Sequence, residues 1–311
     1  MNKRILVTGA LGHIGSKLIH SISPGEFDEV RMIDNLSTQR YASLFHLPKG
    51  VLFKFYEDDI LTADLEGMTK DIDAVIHLAA ITDAPSSFER REEVEQVNYN
   101  GTKRVAAACV KNGVKLLFPS TTSVYGSQEM VVDETCSLRD LKPQSPYAEF
   151  KLKSEQVLKE MSALGGLKCV VCRFGTIFGT SIGMRFHTAV NRFCWQAVMG
   201  QPLTVWKTAL DQKRPYLGIE DAISAIKFII EKDLFDGEIY NVVSANNTVR
   251  DIVDHIKKTI AGVEIQMVDS KIMNQLSYHV SDDKIKKMGY MPQSRLEAGI
   301  KDTLKCLQSS L

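Results

Sequence analysis

The sequence predicts an α/β protein in which a doubly wound parallel sheet carries a smaller α/β C-terminal lobe. Three observations predict it. Through the first half, short apolar runs alternate with helical patterns, as repeated βαβ units require. A glycine-rich turn, Thr8-Gly9-Ala10-Leu11-Gly12-His13-Ile14-Gly15, follows the first of those runs. After Gly175 the rhythm shifts to shorter, less regular segments. At 311 residues the chain has the length of one large unit with an appended lobe, and it can bury a core without disulfides or metal.

Strands are expected over residues 4–8, 30–33, 52–56, 74–77, 115–119 and 168–174, with helices over 13–22, 89–112 and 147–164 between them. Asn112-Gly113 is a helix stop, because glycine takes the left-handed conformation freely. Beyond Gly175 the pattern predicts an amphipathic helix over 188–199, strands over 202–206 and 214–219, and a helix over 221–231. From Thr248 onward short helices and strands mix. The expected division is a nucleotide-binding domain of residues 1–175 that also receives about 213–245, and a substrate lobe of 176–212 and 246–311. The chain then crosses between the two more than once.

Composition narrows the function classes. The chain has 38 basic and 38 acidic residues and no long run of either sign, which argues against a broad basic face for nucleic acid. The apolar stretch near the N-terminus breaks at Thr8-Gly9, and no stretch suits a membrane span. A cytoplasmic protein is expected, its six cysteines free thiols of a reducing compartment. Cys169-Val170-Val171-Cys172 has redox or zinc spacing, but residues three apart on a strand point to opposite faces. No metal site is expected.

The glycine turn meets three physical needs of a Rossmann-type dinucleotide site. It turns tightly, lets backbone approach a pyrophosphate, and packs the following helix close to the strand. Amides at that helix N-terminus, around His13 and Ile14, then face the phosphates. The second strand ends in Met32-Ile33-Asp34-Asn35, where an acidic residue grips the ribose hydroxyls. A carboxylate at Asp34 repels a 2′-phosphate, so the cofactor read from the sequence is NAD.

A second constellation sets the chemistry. The strand at Leu116-Leu117-Phe118 runs into Pro119-Ser120-Thr121-Thr122-Ser123-Val124-Tyr125-Gly126, and Ser145-Pro146-Tyr147-Ala148-Glu149-Phe150-Lys151 heads a helix. A spacing of four places Tyr147 and Lys151 on one helical face. A lysine ammonium beside a phenol favours the phenolate and lowers its pKa.

Taken in order, these segments resemble the extended short-chain dehydrogenases/reductases, and within them the NAD-dependent nucleotide-sugar epimerases and dehydratases. The resemblance is carried by Gly9, Gly12 and Gly15; Asp34-Asn35-Leu36; Asp59-Ile60; His77-Leu78-Ala79-Ala80; Asn98 with Gly101-Thr102; Thr121 before Val124-Tyr125-Gly126; and Tyr147 with Lys151. Arg214-Pro215-Tyr216, Tyr240-Asn241-Val242 and Gly289-Tyr290-Met291-Pro292 extend it. It implies that Asp59 and Ile60 contact the adenine, while Leu78, Ala79, Ala80 and Asn98 line the cofactor groove. Tyr147 is implied as acid/base, Lys151 as the residue that holds the nicotinamide ribose, and Thr121 as a hydrogen-bond partner of the reacting oxygen. It also implies a homodimer built through the 89–112 and 147–164 helices.

In the 4,6-dehydratases of this family an Asp-Glu pair follows the Thr; here those positions are Thr122 and Ser123. The sugar-acid decarboxylases keep a Glu at the Ser123 position. Epimerisation through a transient ketone and bound NADH remains, with Asp34-Asn35-Leu36 and Ser145-Pro146-Tyr147 leaning toward a UDP-sugar 4-epimerase. A reductase or an unusual dehydratase of a nucleotide-linked sugar is the alternative. The substrate lobe departs from the family at Thr176, where Asn is usual, and at residues 207–213, where a Gly-rich stretch is usual. Arg214 is kept and suits a pyrophosphate. Thr122, Thr176, Asn191 and Arg214 are the expected substrate contacts. His187 joins them, either as a proton donor or as a phosphate ligand or helix cap.

Overall fold

The computed structural model describes residues 3–126, 131–269 and 277–309. Its first elements are β1 (Arg4–Thr8), α1 (His13–His20), β2 (Glu29–Asp34), β3 (Leu52–Glu57), α2 (Leu65–Thr69) and β4 (Ala74–His77). Next come α3 (Arg91–Val94), α4 (Thr102–Asn112), β5 (Lys115–Thr121), β6 (Val131–Val132), α5 (Pro146–Ala163) and β7 (Cys169–Phe174). Then follow β8 (Thr176–Phe178), α6 (Ala189–Val198), β9 (Leu203–Trp206), β10 (Lys213–Gly218), α7 (Ile219–Lys232) and β11 (Ile239–Val242). The last are β12 (Ala245–Thr248), α8 (Val249–Thr259), β13 (Ile265–Val268), β14 (His279–Val280), α9 (Asp283–Lys287) and α10 (Leu296–Gln308).

Seven strands form one sheet in the order β11-β7-β5-β4-β1-β2-β3, each parallel to its neighbours. All six strands predicted in the first half lie in it. The order reverses between β1 and β4, which opens a crevice at the carboxyl ends of the strands. Both faces are covered, as the continuous apolar runs demand. Ile5, Val7, Val30, Ile76 and Leu117 pack under α1 and α7, where Ile223, Ile226, Ile229 and Ile230 complete the layer. Each of these isoleucines contributes about 1.5–3 kcal/mol by leaving water. Leu6, Val75, Leu116, Phe118 and Val171 face α2, α4 and α5. Cys169 joins this second layer and Cys172 the first, on opposite faces of β7.

The second layer departs from the sequence reading. One helix was expected over 89–112; α3 instead passes into a wide π-helical stretch, Glu95–Gly101, before α4 begins. Asn98 lies in that stretch, and its carbonyl is taken by the Thr102 hydroxyl at 2.7 Å and the Ser154 hydroxyl at 2.9 Å. The stop is as predicted: Gly113 has φ +67° and its N–H reaches the carbonyls of Cys109 and Val110.

Within the 213–245 segment the elements part company. β11 joins the large sheet and α7 packs on it, while β10 pairs with β8 and β12 in a separate three-stranded sheet. A further apolar cluster holds α6, α8 and α10 against β9, through Val190, Phe193, Leu203, Ile252, Ile256 and Leu304.

Candidate active site

The glycine turn sits where the crevice opens. Gly9 has φ +64°, and a Cβ there would lie 2.6 Å from the Ala79 nitrogen; its N–H bonds Ile33 O at 2.8 Å. A Cβ on Gly15 would lie 2.5 Å from Gly9 O, so both positions demand glycine for contact with backbone. Gly12 caps α1 without a side-chain bond, and the first turn carries no acidic residue. The leading amides of α1 are therefore free to meet an anion. His13 turns its Nδ1 to Ser181 Oγ at 2.7 Å, and burial together with Arg185 holds its pKa well below the usual range.

Asp34 ends β2 across this turn. Its carboxylate accepts from Leu11 N–H and Leu36 N–H, each at 3.0 Å, so it shapes the turn that it borders. Asn35 donates to Asp59 at 2.8 Å, which places both beside Asp34. Ile60 differs from the expectation. It is 5% exposed and belongs to the core beneath α4, packed where a Cβ on Gly101 would stand 2.6 Å from its Cδ1.

Thr8, His77, Thr102 and Asn98 form a relay that holds the next loop. Ala79 N–H donates to Thr8 Oγ1 at 3.1 Å, and Thr8 Oγ1 meets His77 Nδ1 at 2.8 Å. His77 Nε2 meets Thr102 Oγ1 at 3.0 Å, and that hydroxyl donates to Asn98 O. The chain of donors assigns the imidazole proton to Nε2. Burial, reinforced by Lys151, pushes His77 down to about 3, so the ring is neutral. The Asn98 amide clamps the Ile81 backbone from both sides, at 2.8 Å each. Asn98 thus positions the groove formed by Leu78, Ala79 and Ala80 rather than reaching into it.

The crevice deepens into a cavity of about 290 Å³ lined by Ile14, Leu78, Ala80, Thr121, Tyr147 and Lys151, among others. Ser145 caps α5 through Ala148 N–H at 3.3 Å, with Pro146 in its first turn, and this fixes Tyr147 and Lys151 one turn apart. Lys151 is 4% exposed; its ammonium donates to Pro119 O at 2.8 Å and lies 4.4 Å from the Phe118 ring centroid. Burial pulls Lys151 down to about 7; Glu155 opposes that and Arg185 adds to it. Burial raises the Tyr147 pKa, while Arg185 and the Thr121 hydroxyl oppose that rise. Arg185, on the loop that follows β8, is a cation outside the Tyr147–Lys151 motif that favours the phenolate.

Four of the five expected substrate contacts line the cavity: Thr122, Thr176, His187 and Arg214. Asn191 does not. It is fully buried, accepting from Gly179 N–H at 3.1 Å and donating to Arg185 O at 3.1 Å. Its place is behind the loop that presents Arg185. His187 is held down to about 4 by burial and by Arg185, which makes it a neutral group. Sequence reasoning missed Arg185, Arg192, Thr82, Gln144 and Tyr278 in the wall. Arg185 stands two residues before His187, the one position of this loop that the sequence singles out. Among the described lining residues there is no Asp or Glu.

Below the cavity floor Glu155 pairs with Arg173 at 2.7 Å, the side chains 2% and 3% exposed. Ser120, beside Thr121, also donates to Glu155. Arg173 lies over the Tyr125 ring at 4.8 Å, and Tyr125 donates to Asn241 at 2.8 Å. This network ties together the carboxyl ends of β5, β7 and β11.

Known proteins share this arrangement. The model of the NAD dependent epimerase/dehydratase family matches residues 5–242. The chain is 29% identical over 316 residues to an uncharacterized UDP-glucose epimerase of Bacillus subtilis (strain 168), covering 98% of each. It is 28% identical to a trifunctional UDP-glucose 4,6-dehydratase/UDP-4-keto-6-deoxy-D-glucose 3,5-epimerase/UDP-4-keto-L-rhamnose-reductase of Arabidopsis thaliana, over 97% of this chain and 47% of that one. Among solved structures it resembles the UDP-glucuronic acid 4-epimerase from Bacillus cereus in complex with UDP-glucuronic acid and NAD. The TM-score there is 0.88 and the identity 26%, over 99% of this chain and 100% of the other. The match along most of the chain and the glycine cradle beside Asp34 converge: the protein belongs to the NAD-dependent epimerase/dehydratase family of enzymes, and NAD is its cofactor.

Proposed function

We propose that the protein interconverts two nucleotide-diphosphate sugars that differ in configuration at sugar carbon 4, through a transient ketone. The observation that carries this reading is the cavity in which Tyr147, Thr121 and Lys151 meet and whose described wall holds no carboxylate. Elimination of water needs a carboxylate acid or base near the ketone, and Thr122 and Ser123 stand where such a pair would be. With Tyr147 the titratable hydroxyl at the reacting end, proton exchange with one sugar oxygen is the chemistry the site supports.

The α1 amides, Asp34, Asn35 and Asp59 would hold the cofactor, with Ala79 and Ala80 against it and Lys151 on its nicotinamide ribose. NAD, when bound, supplies the hydride acceptor and donor. Tyr147 takes the proton of the carbon 4 hydroxyl and returns it, while Thr121 holds that oxygen in place. Arg214, Arg192 and Thr176 receive the diphosphate end of the substrate. Uridine is the favoured nucleoside, because the similar epimerases act on UDP-sugars. In this reading residues 1–175 with most of 213–245 bind NAD, and the remainder forms the substrate lobe. Two copies pair through α4 and α5, and the enzyme works in the cytoplasm. None of the described helices is long and apolar enough to cross a membrane.

Proton NMR of the protein with UDP-, GDP- and dTDP-sugars, catalytic NAD and no reductant tests this. One sugar should convert to its 4-epimer at constant cofactor, and Tyr147→Phe should abolish conversion while leaving NAD affinity within about threefold. Turnover that consumes NADH stoichiometrically would establish the reductase alternative instead. Full activity in Tyr147→Phe would remove the mechanism.

A further inference from the structure

We infer that residues 179–187 form a strap that closes the cofactor into its crevice, and that a nucleotide in the substrate cavity holds the strap shut. Release of NAD is then coupled to occupation of the cavity, whichever reaction the cavity performs.

The strap leaves the substrate lobe between β8 and α6, and one side chain secures its base. Asn191 of α6 accepts from Gly179 N–H at 3.1 Å and donates to Gly179 O at 3.3 Å and to Arg185 O at 3.1 Å. Both ends of the loop are thereby pinned to α6. Gly179 turns the chain at φ +109°, where a side chain is strained, and Met184 N–H closes the far turn on Ser181 O at 3.1 Å.

The tip of the loop belongs to the other lobe by contact. Gly183 N–H donates to Ser16 Oγ at 2.9 Å, and Ser181 Oγ meets His13 Nδ1 at 2.7 Å. Gly183 lies so close to the glycine turn that a Cβ would stand 2.3 Å from Leu11 O and 2.7 Å from Gly12 O. The tip thus touches Leu11, Gly12, His13 and Ser16, the residues around the α1 amides that are free for a pyrophosphate. One more bond, from Arg185 to Thr82 Oγ1, reaches the loop that follows β4. These latches are polar and few. Ile182 and Phe186, the large apolar side chains of the strap, are 50% and 37% exposed rather than sealed against the nucleotide-binding lobe. A joint of this kind opens without exposing a core.

The coupling follows from what the strap shares with the cavity. Arg185 and His187 on the strap line it, as do Arg192 and Phe193 on the helix that Asn191 ties to the strap. Thr121 and Tyr147 line it from the nucleotide-binding lobe. A ligand that touches both sides binds the closed arrangement better than the open one, so it shifts the strap toward closure. By linkage, bound cofactor and bound nucleotide strengthen each other.

The test follows NADH fluorescence as the NADH-loaded protein is chased with excess NAD. Gly183→Ala, whose Cβ the glycine turn rejects, and the double variant Ser16→Ala/Ser181→Ala, which removes the latch hydroxyls, should each release NADH at least about tenfold faster. Thermal melting confirms that they are folded; should Gly183→Ala not fold, the double variant decides. Calorimetry selects which of UDP, GDP and dTDP binds the loaded protein most tightly. At saturation that nucleotide should slow NADH release at least about tenfold in the unaltered protein and less than about twofold in the double variant. Unchanged release from the double variant would overturn the strap, even with faster release from Gly183→Ala, which would then report only a deformed glycine turn. Coupling through the strap falls if none of the three nucleotides binds, if the bound one leaves release unchanged, or if it slows release equally in the double variant.

Discussion

Changing Glu155 to Gln removes one charge from a pair that water does not reach. Arg173 approaches Glu155 through Nη2 at 2.7 Å and Nε at 3.1 Å, and its Nη1 is already buried without a partner. Gln preserves the volume of the side chain, so no cavity opens. The cost is that of an uncompensated buried guanidinium, about 3–5 kcal/mol. At roughly 2 °C per kcal/mol for a chain of this size, Tm should fall by about 6–10 °C. Function should suffer separately. Glu155 lies one turn along α5 from Lys151 and favours its ammonium, against burial that brings Lys151 to about 7. Without that support the pKa falls further, and the alkaline limb of the kcat/KM profile should move to lower pH. Urea unfolding and a pH–rate series measure the two effects. Replacing both partners, Glu155→Gln with Arg173→Met, should restore most of the stability but not the pH profile. A single variant that loses under 1 kcal/mol with its pH profile unchanged would refute the reasoning.

The glycine turn and the buried histidine give two more expectations. Gly9→Ala and Gly15→Ala place a Cβ 2.6 Å and 2.5 Å from backbone atoms and should weaken NADH binding, read by fluorescence, at least about a hundredfold by deforming the cradle. Gly12→Ala meets only Gly9 O at 3.3 Å and should lose less than about tenfold; equal losses at all three would contradict the geometry. His77 has a folded pKa of about 3 against about 6.5 when unfolded, so below pH 6.5 the unfolded chain binds the extra proton. Stability should therefore decline with acidification by about 1.4 kcal/mol per pH unit from this group. The difference between the protein and His77→Gln, from urea midpoints at pH 7, 6 and 5, isolates that slope, and parallel curves would show that His77 does not contribute it.

What the sequence disclosed followed the range of the interactions involved. The strands of the large sheet are legible because each buries both faces and reads as an unbroken apolar run. The glycine turn and the Tyr147–Lys151 spacing are legible because a few adjacent residues decide them. The π-helical stretch at Glu95–Gly101 was not, since seven residues do not separate its period from that of an α-helix. Nor does a local pattern say which sheet a strand enters: β10 looks like another βα strand, yet pairs with β8 and β12. Ile60, Asn98 and Asn191 occupy the positions the family resemblance pointed to, but neighbours distant in sequence turn their side chains onto core or backbone.

The same distance in sequence hides the residues that bias the protonation of the motif. Burial favours the neutral forms of both Tyr147 and Lys151, whereas catalysis of the proposed kind needs phenolate beside ammonium. Two residues outside the motif bias the pair that way from opposite ends. Arg185 makes it easier for Tyr147 to lose its proton, and Glu155 makes it harder for Lys151 to lose its own. Arg185 also acts against the Lys151 ammonium, so Glu155 is needed the more because Arg185 is present. A spacing of four on α5 brings the two groups into one cavity; a loop from β8 and the ion pair beneath the floor bias their charges from outside the motif.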